Sequence, residues 1–281
     1  MEWKGRRGSG NIEDRRGVSM GRAGGIGGVG MIAVLVIGYF LGIDVTPLLN
    51  DPGAGQGGAP AELTQADKAA GEFVSVTLAD TEEVWAKVFD EQVDQPYNPA
   101  ILVLYKGVTQ SACGGASGAT GPFYCPGDKK VYLDTEFFST LEERLGAAGD
   151  FASAYVVAHE IGHHVQDELG ILGKANQVRA QMSESESNAI SVRIELQADC
   201  FSGIWAREAA QKFGSIDRGD LEEAVNAARQ IGDDTLQRNA GQRPMPHTFT
   251  HGTSEQRSRW FVTGFQTGQM AQCDTFSTDN L

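Results

Sequence analysis

Basic side chains are in short supply in this chain. Lys and Arg number 23 against 37 Asp and Glu, a formal net charge of −14 over 281 residues. Nucleic-acid binding rests on clustered cations facing phosphates, so that class of partner is excluded at the outset. No internal repeat is visible, and no second Gly/Pro-rich linker follows residue 61, which leaves residues 62–281 as one expected domain. Hydrophobic residues are not lacking: at 41%, with 13 Phe and 4 Trp, they suffice for a core and exclude general disorder. Histidine is scarce, five in all, yet three of the five lie within "VVAHEIGHHVQDELG" (156–170).

The charge is unevenly spread. Residues 1–43 hold six basic and three acidic side chains, a surplus of +3, so the remainder carries −17. Between Arg22 and Asp44 runs the uncharged stretch "AGGIGGVGMIAVLVIGYFLGI". About 20 helical residues cross the roughly 30 Å hydrocarbon layer, so residues 23–43 are expected to form one transmembrane helix. A buried core helix seldom runs so long without a polar face. A cleaved signal peptide would have a shorter apolar region, and no A-x-A-like site follows Ile43. The positive-inside rule then puts the basic N-terminus, residues 1–22, in the cytoplasm and everything beyond the span outside it. The stretch "NDPGAGQGGAPA" makes residues 44–61 a flexible linker.

Cysteine usage agrees with export. All four cysteines follow the expected span, and outside the cytoplasm they can pair in three ways. Cys113 and Cys125 bracket the glycine-rich "CGGASGATGPFYC", which favours that local pair and leaves Cys200 with Cys273; free thiols are the alternative.

Residues 64–92 read as two helical pieces, with Asp80 or Thr81 capping "EEVWAKVF". "AILVLY" (100–105) is a short apolar run suited to a buried strand, and "PFYC" and "KKVYLD" suggest further strands. From about residue 135 the pattern is helical, with segments at 150–170, 184–213 and 219–239. A last helix opens near Thr253, where "TSEQ" has capping-box spacing. Strands first and helices after predict an α+β fold, a small sheet in the N-terminal half and a helical C-terminal half.

Apolar residues recur at three- and four-residue steps from Phe151 to Leu172, so the histidines sit on an amphipathic helix. His159 and His163, four apart, lie one above the other and can converge on one ion, while Glu160 stands about 100° around the helix. This is H-E-x-x-H, in which the glutamate is the general base of a zinc hydrolase. Chance would place the motif in a chain of this composition on the order of 0.006 times. His164 points off the pair and suits a supporting or solvated position better than a ligand one. Catalytic zinc takes three protein ligands and keeps one position open. Outside this helix only His247 and His251 remain, so a carboxylate third ligand is sought, and "IELQADCF" supplies Glu195 and Asp199 four apart. Glu195 is the expected metal ligand and Asp199 the acceptor for the spare N–H of His159. A solvated acidic face is the alternative for that pair. His251 precedes the capped last helix, whose N-terminus should keep the imidazole neutral, available to stabilise an oxyanion. An exposed loop histidine is the alternative there.

Together, "VVAHEIGHHVQ", "ELQADC", "HGTSEQR", "PFYCPGDKKVYLD" and "MEWKGRRGSGNIEDRRG" resemble the putative neutral zinc metallopeptidase family of bacterial membrane-anchored proteins. More distantly, H-E-x-x-H followed by E-x-x-x-D resembles the glutamate-zincins, including the CAAX-prenyl-protease-like group. The resemblance implies a zincin-like metallopeptidase domain with Zn2+ on His159, His163 and Glu195, base Glu160, and a protein or peptide substrate. It also implies a place in the bacterial plasma (inner) membrane as a single-pass protein. The many spans of the prenyl-protease-like enzymes are absent, so their intramembrane substrates do not carry over. On this reading zinc-bound water hydrolyses peptide bonds, with the peptide extended along the sheet beside "KKVYLD". The acidic body would mildly repel acidic substrates at long range. The alternative is an inactive zinc-stabilised binding or scaffold module on the membrane surface, against which Glu160 argues because a structural site needs no base. A zinc amidase acting on the cell wall is a further reading, weakened by the lack of any glycan-binding surface in the sequence.

Overall fold

The structure is a computed structural model that describes residues 1–17, 62–117 and 120–281. The expected span (23–43) and linker (44–61) lie outside the described residues. Among those described, no helix is long and apolar enough to cross a membrane.

Helix α1 (Gln65–Gln92) starts at Thr64, whose side chain and that of Asp67 exchange capping-box hydrogen bonds. It is one helix and not the expected two. Asp80 caps nothing: buried in mid-helix, its carboxylate accepts two hydrogen bonds from Arg6 (2.6 and 2.8 Å). The Thr81 hydroxyl donates back to the Leu78 carbonyl (2.7 Å), the bond by which a threonine is accommodated inside a helix.

The strands are β1 (Ile12–Asp14), β2 (Ile101–Tyr105), β3 (Val108–Ser111), β4 (Gly114–Ser117), β5 (Phe123–Cys125) and β6 (Lys130–Asp134). Four form a mixed sheet in the order β1-β2-β6-β5, and β3 and β4 pair as a separate hairpin. The expected strands at 100–105, "PFYC" and "KKVYLD" are all present. The parallel pair β2 and β6 is central, and its apolar run is buried as a strand with neighbours on both sides must be. Because β6 is hydrogen-bonded on both edges, a peptide cannot add to "KKVYLD". Among the described residues the sheet ends at β1 and at β5, the latter antiparallel to β6.

The basic N-terminal segment is built into the domain, which corrects its expected separation at residue 22. β1 pairs in parallel with β2, matching Ile12 to Leu102 and Asp14 to Leu104. Arg6 engages Asp80, Arg7 engages Glu83, and the Trp3 ring meets Phe73 edge-on at 5.5 Å. Positive charge that reads as a membrane-orienting signal is thus also the counter-charge to acidic residues of α1. Residues 1–17 cannot make these bonds from the far side of a bilayer.

The remaining helices are α2 (Phe137–Glu143), α3 (Asp150–Glu168), α4 (Ile171–Arg179), α5 (Glu184–Phe213), α6 (Arg218–Gln230), α7 (Asp233–Asn239) and α8 (Ser254–Thr267). The expected helix at 219–239 is broken into α6 and α7 at Gly232, where a side chain would strike the Ser254 backbone at 2.4 Å. The "TSEQ" box opens α8 as expected, the Thr253 side chain accepting from the Gln256 N–H. Helices α5 and α8 pack backbone to backbone: a Cβ on Gly264 would stand 1.9 Å from the Cys200 carbonyl oxygen. Both favoured disulfides, Cys113–Cys125 and Cys200–Cys273, are formed. The first staples the β3–β4 hairpin to β5, and the second ties the C-terminal tail to α5.

Candidate metal centre

Two helices bring the centre together. Where α3 crosses α5, a Cβ on Gly162 would lie 3.0 Å from the Ala198 carbonyl oxygen, so glycine lets the backbones sit closer than a side chain would without a shift of a few tenths of an ångström. The closeness brings side chains from the two helices within reach of one another. Donor atoms of His159, His163 and Glu195 all lie within 4.8 Å of one another.

Hydrogen bonds on the far side of each ring fix what faces inward. His159 Nδ1–H donates to Asp199 Oδ1 (2.8 Å), which turns the Nε2 lone pair toward Glu195 Oε2 at 3.1 Å. His163 Nδ1–H donates to Gln166 Oε1 (2.9 Å), leaving its Nε2 3.5 Å from Glu195 Oε1. Gln166 presents that oxygen because its amide nitrogen donates elsewhere, to the Ile194 carbonyl (2.8 Å) and Gln197 (3.1 Å).

Two imidazole lone pairs aimed at a carboxylate repel it unless a positive charge lies between. Burial pulls the His159 ring down, but Asp199 and Glu195 outweigh it and lift the ring to about 10. His163 is raised by Glu195 against the same burial. Glu195, despite burial, is held far below the usual carboxylate range by His163 and His251. The pocket therefore demands a cation, which a proton or a metal can supply. The 3.1 and 3.5 Å contacts end on different oxygens of Glu195, so each imidazole faces its own carboxylate oxygen. Two histidines and one carboxylate, with donor atoms within 4.8 Å of one another, are a donor set that zinc takes.

Glu160, one residue on from His159, is buried and lines the same cleft. Burial raises its carboxyl, with His163 and His159 pulling it partly back. Asp199 is wholly buried and accepts from Tyr155 Oη (2.5 Å), His159 and, on both oxygens, Arg257 (2.8 and 3.0 Å). Burial would raise it, but Arg257 and His159 hold it at about 2. Tyr155, Gln166 and Arg257 hold the candidate site's side chains in place, and the sequence reading passed over them. Tyr155 and Gln166 stand four before His159 and three after His163, spacing that could have found them; Arg257, nearly sixty residues past Asp199, offered no such signal.

His251 lies in the same cleft. Burial lowers its pKa, but Glu195 and Asp233 outweigh burial and raise it, the opposite direction to that expected from the helix N-terminus. Its Nδ1 contacts Thr250 Oγ1 (3.0 Å) and Asp233 Oδ1 (3.3 Å). Asp233 also accepts the backbone N–H groups of Thr250, His251 and Gly252 and so shapes the loop. His164 is a buried structural residue: Nε2–H donates to the Asn98 carbonyl (2.7 Å), and the ring lies between Tyr97 and Tyr124. His247 is exposed on a short 3-10 turn. A second acidic group, Asp150, Asp220 and Glu223, faces the Met1 amino group, which bonds Asp150 (2.8 Å) and Asp220 (2.6 Å).

The cleft over the centre has a volume of about 490 Å³, within the range of small-ligand and peptide sites. Phe123, Phe137, Val156 and Leu172 give it an apolar wall, and edge strand β5 forms one lip.

Paired histidines one helical turn apart, a carboxylate from a second helix and an adjacent buried glutamate form a group that could hold a metal ion, on an α+β domain. The chain belongs to the putative neutral zinc metallopeptidase family, whose model matches residues 1–276. It is 46% identical over 286 residues to "Uncharacterized protein YpfJ" of Escherichia coli K12, covering 98% of this chain and 99% of that protein. It is 43% identical over 195 residues to "Uncharacterized protein Rv2575" of Mycobacterium tuberculosis H37Rv, covering 66% of this chain and 65% of that one. No solved structure matches it.

Proposed function

We propose that this protein is a zinc metallopeptidase that hydrolyses peptide bonds of protein or peptide substrates. The observation that carries the reading is the convergence of His159, His163 and Glu195 donor atoms beside an acidic side chain that is not one of them. Zinc held by those three residues would polarise a scissile carbonyl and bring the pKa of water to about 7. Glu160 takes the proton of the attacking water and returns it to the leaving nitrogen, a transfer aided by a carboxyl already raised by burial. With Nδ1 held by Asp233 and Thr250, His251 is left Nε2 to donate to a developing oxyanion. The open edge of β5 offers backbone groups to an extended substrate.

Glu160→Gln should retain one zinc per chain and lose hydrolysis of an unstructured substrate such as casein by at least about 100-fold. Undiminished hydrolysis would remove Glu160 as base and favour the scaffold reading.

The two disulfides support an extracytoplasmic place for the domain, and the bonding of residues 1–17 to it speaks against a single crossing by residues 23–43. Residues 1–17 then share that compartment with the domain they are bonded to. A Lys4→Cys variant should react with a membrane-impermeant maleimide in intact spheroplasts; labelling only after lysis would refute this placement.

A further inference from the structure

Two arginines line the cleft, and they are differently employed. Arg257 is spent on Asp199, which it meets with two nitrogens. Arg179, at the last turn of α4, meets no carboxylate among the described residues. Its Nε donates to Ser187 Oγ (3.3 Å) and its Nη1 to Asn176 Oδ1 (3.2 Å), both neutral. Its Nη2 bonds to no protein atom among the described residues, and the half-buried residue lines the same cavity as His159 and His163.

In a protein with 37 acidic and 23 basic side chains, a cleft arginine held in place by neutral groups and left without an anion is an unmet demand for negative charge. The two neutral bonds fix the plane of the fork and leave Nη2 and the second N–H of Nη1 side by side, the edge that two-pronged binding of a carboxylate needs. The other charged residues of the cleft do not meet that demand. Glu195 belongs to the metal set, and Glu160 sits on α3 beside it. Long-range repulsion by the acidic body is screened beyond about 8 Å at physiological salt, whereas contact with a half-buried guanidinium is not.

We propose that Arg179 is a specificity-determining residue that binds a substrate carboxylate, so that preferred peptides carry one near the scissile bond. The carboxylate is either an acidic side chain or the peptide's own C-terminus. The inference rests on the peptidase reading for the word "scissile", but the docking of a carboxylate peptide does not.

Binding is measured without turnover, on zinc-loaded Glu160→Gln protein, by calorimetry. Three peptides of one sequence are compared: Glu with an amidated C-terminus, Gln with an amidated C-terminus, and Gln with a free C-terminus. Either carboxylate peptide should bind about 10- to 100-fold more tightly than the neutral one, and which of the two does so identifies the source. Adding Arg179→Gln should collapse the difference, and Arg179→Lys should restore part of it, whereas a merely structural role would weaken all three peptides alike. Equal affinities, no binding of any peptide, or a preference that survives Arg179→Gln would each overturn the assignment. Hydrolysis of the same peptides by the wild-type protein is scored separately: preferential binding without cleavage keeps the arginine site and removes the peptidase.

Discussion

Replacing Asp199 by Leu takes one negative charge from a place where four hydrogen bonds converge. The largest consequence falls on Arg257, only 2% exposed and raised above its ordinary value by Asp199 against burial, so it stays charged and unpaired. Removing one partner of a buried ion pair costs about 3–5 kcal/mol. The Tyr155 hydroxyl loses its acceptor at a further cost of about 1 kcal/mol. Against a total stability of roughly 5–15 kcal/mol, the variant should remain folded in buffer with a markedly lower urea midpoint. The second consequence is chemical. His159 loses the acceptor that fixes its tautomer, and losses of this kind lower metal affinity about 10- to 100-fold. The two effects separate in the double variant Asp199→Leu/Arg257→Met, since an apolar pair replacing a buried ion pair is neutral or stabilising. Urea unfolding followed by tryptophan fluorescence reads stability, helped by the buried Trp205 stacked on Phe151. Chelator competition reads zinc affinity. The double variant should recover stability but not zinc affinity. Recovery of both, or wild-type zinc affinity in the single variant, would refute the role assigned to Asp199.

The fragment 62–281 should be less stable than the whole chain by several kcal/mol, because it lacks β1 and the Arg6 partner of Asp80. A peptide of residues 1–17 added in solution should raise its melting temperature, and a fragment as stable as the parent would contradict the docking seen here. Asp80 also sets a pH dependence. Burial outweighs Arg6 and lifts its carboxyl from 3.8 to about 6, so between those values the folded state binds more protons than the unfolded one. Its contribution is therefore most favourable at or below about pH 4 and declines by up to about 3 kcal/mol as pH rises through 6. Denaturation of Asp80→Asn beside wild type at pH 4.5 and 7.5 should show the difference changing across that window; parallel curves would dismiss the effect.

The candidate ligands were legible because their spacing is local. Residues four apart share a helix face whatever the rest of the chain does, so His159 with His163, and Glu195 with Asp199, followed from the helix period. The capping box at Thr253, the buried run "AILVLY" and the order of strands before helices are likewise properties of short segments, and each was found where expected. Even the third ligand could be argued from scarcity, since few histidines were left to fill the site.

What no window of sequence contains is which distant segments share a burial. Arg6 and Arg7 read as membrane-orienting charge because their partners, Asp80 and Glu83, lie more than seventy residues away. Asp80 read as a helix cap for the same reason: without Arg6, an acidic residue in mid-helix has no explanation but a break. The neutral state expected of His251 rested on one helix terminus, whereas the fold adds Glu195 and Asp233, which raise its pKa against burial. Local periodicity and composition fixed the elements and the donor residues. The pairing of β1 with β2, the Gly162 crossing, the bonds that orient each imidazole and the uncommitted guanidinium of Arg179 came only from packing, because each depends on a distance between chain segments far apart in sequence.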